Sequence, residues 1–87
     1  MNIDVVWKNV KRYEGEDFKR KNGEVFKYII RRDCLWVVGI KGARVTKVSL
    51  ESALTIENPS PSKIAREGVW GSTYVYGIIT DERIRCF

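Results

Sequence analysis

The sequence predicts an α+β domain: an antiparallel sheet of about four strands, an N-terminal helix, and two short helices before a last strand. Three observations carry this expectation. The first thirteen residues repeat apolar side chains at a helical period. Asn22-Gly23 stands between two β-compatible runs, and the Pro- and Ser-rich stretch "ENPSPS" separates two short helical patterns. A chain of 87 residues can bury one modest core but not two, so a single domain spanning 1–87 is expected.

The elements follow in order. Ile3, Val6, Trp7 and Val10 keep the i, i+3, i+4, i+7 spacing of one helix face, Lys8, Lys11 and Arg12 fall outside it, and Gly15 is a natural stop, with a short strand over "IDVVW" as the alternative. In "EDFKRKNGEVFKYII" the Asn22-Gly23 pair suits a type I′ turn, because both central residues of that turn need positive φ. On the second strand Phe26, Tyr28 and Ile30 alternate with Val25, Lys27 and Ile29. "RRDC" turns the chain into "LWVVGI", and "KGARVTKV" reads as a turn and a further strand.

Ser49 is expected to cap a short helix over "LESALTI", where Leu50, Ala53 and Leu54 have helical spacing. Ser60-Pro61 has the cap-then-proline order of a second helix start, which Gly68 ends. "STYVYGII" is then the last strand, with Tyr74, Tyr76 and Ile78 on one face and Val75 and Ile79 on the other.

The composition, 44% hydrophobic and 31% charged, is that of a folded chain. No apolar run approaches the length of a membrane span. The N-terminus lacks the basic-then-apolar order of a secretory signal, so a cytoplasmic location is expected. Cys34 and Cys86 form no C-x-x-C unit, and two free, mostly buried thiols are expected of a reducing compartment, with a disulfide between them as the alternative.

Charge points toward a partner. Sixteen Lys and Arg against eleven Asp and Glu leave +5, with a pI near 9.4. Residues 1–50 hold twelve basic and six acidic side chains, whereas residues 51–87 hold four and five. A basic half suits a polyanion, because clustered cations displace counterions from phosphates. The competing explanation is a solvated surface that keeps a small protein soluble.

The densest cluster lies in the hairpin. Lys19, Arg20, Lys21 and Lys27 surround its turn, and Arg31 and Arg32 follow at the end of the strand. A basic β-ribbon can lie along a groove or over a phosphate backbone, although lysines at hairpin tips also block edge-to-edge aggregation. "KGAR" adds Lys41 and Arg44. Trp70 and Tyr74 are secondary candidates for base stacking. No basic residue stands between Glu67 and Arg83, so packing against the core is the stronger expectation for the tyrosines.

Several chemistries are excluded or disfavoured. With no histidine there is no Ser-His-Asp or Cys-His catalysis and no His-ligated zinc, and two cysteines cannot build a Cys₄ site. Neither a P-loop nor G-x-G-x-x-G is present. Asp17-Phe18-Lys19 has the acid-x-Lys form of metal-dependent nucleases, with Asp4 as a partner acid. Asp4, however, is explained by the dipole of the helix it opens, and Asp17 sits in the surface run "EGED". Asp81-Glu82-Arg83 reads as a solvated turn with a local ion pair. No catalytic residue, metal or cofactor is therefore expected.

Two patterns carry a resemblance. Phe18, Gly23, Phe26 and Tyr28 fit F-x-x-x-x-G-x-x-F-x-Y, and Ser72, Tyr74, Val75, Ile78, Asp81, Arg83 and Ile84 fit S-x-Y-V-x-x-I-x-x-D-x-R-I. In this the chain resembles a group of small bacterial proteins and domains with no assigned activity. The resemblance implies no catalytic residue. It implies that Ser72, Tyr74, Asp81 and Arg83 belong together, as a site or as part of the fold.

The leading expectation is thus a small non-enzymatic module that contacts nucleic-acid phosphates through Lys19, Arg20, Lys21, Lys27, Lys41 and Arg44. Ribbon geometry favours DNA slightly over RNA. The alternative is a protein-interaction module, such as an inhibitor or accessory subunit from a mobile element. It would dock on an acidic or nucleic-acid-processing partner through an anchor such as Trp36 or Trp70. An exposed edge strand would also allow two copies to pair.

Overall fold

Asn2 opens the first helix by accepting the backbone N–H of Asp4 on its side-chain oxygen, 2.8 Å away. The computed structural model describes residues 2–85, so Cys86 and any pairing of it lie outside the described residues. Helix α1, Ile3–Arg12, buries Val6, Trp7 and Val10 on the predicted stripe.

Strands β1, Phe18–Lys19, and β2, Val25–Phe26, form an antiparallel pair with Phe18 opposite Phe26. Their loop differs from the predicted type I′ turn. The Gly23 N–H donates to the Arg20 carbonyl and the Arg20 N–H to the Glu24 carbonyl, both at 2.9 Å. Gly23, at φ 88°, is left-handed and Asn22 is not, which gives a three-residue loop closed by a glycine bulge. The Asn22 side chain accepts the Glu24 N–H at 2.9 Å, a local bond that the turn uses in place of a left-handed Asn22.

Lys27 separates this ribbon from a second sheet, so the strands divide into two sheets rather than one. Strands β3 (Tyr28–Arg31), β4 (Cys34–Val37) and β5 (Arg44–Thr46) run antiparallel in the order β3-β4-β5. Here lies the primed turn. Arg32 and Asp33, joining β3 to β4, both have positive φ, 51° and 58°. A non-glycine residue held left-handed costs roughly 1–2 kcal/mol, and Asn tolerates it better than Arg. Arg32→Asn is therefore expected to raise stability by about 0.5–1 kcal/mol, read as a higher urea midpoint at unchanged slope.

The two-residue turn sets the register. Ile30 faces Leu35 and Leu35 faces Val45, while Tyr28 faces Val37; Tyr28, Leu35, Val37 and Val45 are buried in the core. The alternate residues turn outward in two rows, Ile29–Trp36–Arg44 and Arg31–Cys34–Thr46. The buried Tyr28 hydroxyl donates to the Val10 carbonyl at 2.7 Å, joining the sheet to the last turn of α1. Burial pushes this phenol well above its usual titration range.

Helix α2, Lys47–Leu54, starts straight from β5. Its cap is Thr46, which accepts the Ser49 N–H at 3.1 Å, and not Ser49 as predicted; Ser49 lies inside the first turn. Helix α3, Pro61–Arg66, is capped by Ser60 as expected.

The segment predicted as the last strand is instead helix α4, Ser72–Ile79. Val75, Ile78 and Ile79 share one buried face at i, i+3, i+4 spacing. Gly77 meets β1 so closely that an added Cβ would lie 2.2 Å from the Lys19 carbonyl oxygen. β-branched and aromatic residues favour strands only weakly, and packing on both sides of this segment overrides that preference. Helix α5, Glu82–Arg85, follows, and Asn9 of α1 donates to the Ile84 carbonyl at 3.0 Å. Among the described residues no helix is long and apolar enough to cross a membrane.

Candidate nucleic-acid interface

The aromatics of the resemblance patterns form a chain of ring contacts. Phe18 packs on Tyr28 at 5.1 Å and on Phe26 at 6.2 Å, and Tyr74 sets its ring edge-on to Phe26 at 5.1 Å. Trp70 stacks nearly parallel on Tyr74 at 6.2 Å and remains 47% exposed. Tyr74 and Tyr76 pack against the core from α4. Their role in the fold matches the structural expectation, although the element differs.

Arg20 is drawn into this cluster. Its guanidinium lies 4.7 Å from the Tyr74 ring centre, Nε donates to Thr73 Oγ1 at 3.1 Å, and Nη1 pairs with Glu24 at 2.6 Å. Lys27 pairs with Asp17 at 3.1 Å. Two of the four predicted hairpin cations are thus held by groups of the protein itself. Lys19 and Lys21 stay exposed, the latter with its ammonium 5.7 Å from the Tyr76 ring centre.

Asp81 and Arg83 form the expected local ion pair, but not in a solvated turn: Arg83 lies in α5 and packs over Phe18. Arg83 Nε and Nη2 reach the two Asp81 carboxylate oxygens at 3.0 Å each, and Nη2 also donates to the Asp17 carbonyl at 2.7 Å. The guanidinium covers Phe18 at 4.0 Å. The Arg83 hydrogen bonds hold the Asp81 carboxyl below its usual range, while Asp81 raises the guanidinium. This group fastens α5 to the start of β1, a structural task. The acids of the nuclease-like constellation are each matched by a lysine, Asp4 by Lys47 and Asp17 by Lys27. Among the described residues no cluster of three or more His, Cys, Asp or Glu could hold a metal ion.

A second surface, which sequence reasoning did not single out, lies on the outer face of the β3–β5 sheet. Ile29, Arg31, Arg32, Cys34, Trp36 and Arg44 line an open cleft of about 700 Å³ whose walls come only from the sheet and its β3–β4 turn. Trp36, partly buried, stands between Ile29 and Arg44 in one cross-strand row. The Arg44 guanidinium lies 6.0 Å from the Trp36 ring centre, the outer limit of cation–π attraction. The Trp36 indole N–H is enclosed without a hydrogen-bond partner. Cys34, half-buried, lies in the row beside it and has no disulfide partner among the described residues.

Among the described residues no carboxylate comes within 4.0 Å of a basic group of Arg31, Arg32, Arg44, Lys41, Lys19 or Lys21. Lys41 is exposed in the β4–β5 connection, and Arg44 joins the cleft. The signal for this face was present as a period-two interleaving, Ile29 and Arg31 on one strand with Cys34 and Trp36 on the next. In comparisons with known proteins no family model, no curated protein and no solved structure matches the chain.

Proposed function

We propose that the chain is a small non-enzymatic module that binds nucleic acid on the outer face of its three-stranded sheet. One observation carries the reading: Arg31, Arg32 and Arg44 line one cleft with a partly buried Trp36, and among the described residues none of the three is matched by a carboxylate. Uncompensated guanidinium groups attract phosphate oxygens and can bind them with two parallel bonds. Lys19, Lys21 and Lys41 add attraction at longer range, whereas Arg20 and Lys27 serve the fold first.

Binding is expected to weaken steeply with salt. Three phosphate contacts give a slope of log affinity against log salt of about −2 on single strands and −2.7 on duplex. A triple variant, Arg31→Ala, Arg32→Ala and Arg44→Ala, should flatten that slope by about 2 on single strands and about 2.7 on duplex. Anisotropy titrations of labelled oligonucleotides at several salt concentrations measure both. Absence of binding at low salt, or an unchanged slope in the triple variant, would overturn the proposal.

Trp70, half exposed beside Tyr74, favours a second reading in which the protein docks on another protein. That reading requires a defined stoichiometry and a large affinity loss in Trp70→Ala.

A further inference from the structure

We infer that the outer sheet face takes single-stranded nucleic acid, with one base stacked on Trp36 and the flanking phosphates held by Arg31 and Arg32 at the turn and by Arg44 across the sheet. The inference rests on the reading of this face as a nucleic-acid surface and adds which strand form it takes and how.

Shape argues first. Three strands at about 4.8 Å spacing make a backbone surface roughly 10 Å wide before side chains are added. The major groove, about 12 Å wide, admits one helix or a two-stranded ribbon, so a broad sheet face does not enter it. Trp36 is moreover partly buried among the cleft walls instead of standing out as a wedge. A duplex keeps its bases in the stack, out of reach of such a ring, whereas a single strand can lay a base into the cleft.

Chemistry argues second. Trp36 faces Arg44 on one side and Ile29 on the other, and Arg31 lies one outward position along from Ile29, so basic groups flank the ring as a stacking platform requires. At 6.0 Å, and with no carboxylate partner, Arg44 is only loosely held over the indole and can turn to a phosphate. Arg20 over Tyr74 cannot do so without giving up its bonds to Thr73 and Glu24. The core does not call for an indole at position 36, since its cross-strand row faces away from the buried side chains.

The decisive experiment uses the unaltered protein and three probes of equal phosphate number. These are an oligothymidylate of about ten nucleotides, a base-free deoxyribose-phosphate chain, and a duplex, with an oligouridylate arm to separate DNA from RNA. The single strand is expected to bind roughly 5- to 150-fold more tightly than the base-free chain, the range of one stacked base. It should also bind more tightly than duplex. Trp36→Ala should lose the same factor, and Trp36→Phe, which keeps a ring and guards against a folding defect, should retain most of the affinity. Equal affinity for oligothymidylate and the base-free chain, or a preference for duplex, would overturn the stacking inference while leaving phosphate binding in place. No binding to any probe at low salt would overturn both.

Discussion

Gly77→Ala is expected to destabilise the domain by about 3 kcal/mol or more, against a total of roughly 5–15 kcal/mol for a domain of this kind. Two effects compete. Alanine is the better helix former by about 1 kcal/mol, which would stabilise α4. The new methyl, however, would stand 2.2 Å from the Lys19 carbonyl oxygen and 3.1 Å from the Phe26 ring. The oxygen belongs to the backbone of β1 and cannot swing aside as a side-chain tip would. Helix and ribbon must separate, exposing part of the Phe18–Phe26–Tyr74 cluster. Urea unfolding followed by circular dichroism measures the loss. A variant as stable as the parent would show that α4 and β1 do not approach so closely.

Arg83→Ala is expected to cost about 2–3 kcal/mol near neutral pH, because hydrogen bonds to charged groups and a close ring contact disappear together. The variant strips Asp81 of its two-toothed partner, frees the Asp17 carbonyl and uncovers Phe18. The difference should depend on pH in a defined direction. Arg83 holds the Asp81 carboxyl below its ordinary value. The stabilisation is therefore fully present above the unfolded value of about 3.9 and fades as acidity drives the folded carboxyl to protonate. The gap in unfolding free energy between parent and variant should be widest above about pH 5 and shrink below pH 4. A gap that stays constant across that range would mean the pair contributes nothing to stability. Arg83→Lys should rescue little, since a lysine cannot reproduce the fork.

The legible parts of the sequence were those where a local rule and the packing agree. Helix α1 has both an apolar stripe and a capping Asn2, and α3 has Ser60 followed by Pro61. The Asp81–Arg83 pair needs only two residues of spacing. Helix α4 was illegible because Gly71 offers no side-chain oxygen to mark a start, and Thr73, Tyr74, Val75 and Tyr76 are strand-favouring residues. Asn22-Gly23 locates the hairpin correctly, but the primed geometry it predicts is found at Arg32-Asp33 instead. Of the candidate site, Arg44 and the exposed lysines were visible as charge. The row that joins Ile29, Trp36 and Arg44 is not, because it depends on a register set by the two-residue primed geometry at Arg32-Asp33, which the turn at "RRDC" does not announce.

That turn places two demands on one residue. Arg32 is the strained member of the β3–β4 connection and at the same time one of the three cations lining the cleft. A library selected for heat resistance alone should drift toward Asn or Gly at this position and return a sturdier protein with weaker binding to the nucleic acid proposed above. A library selected for grip should keep the arginine and tolerate the lower melting point.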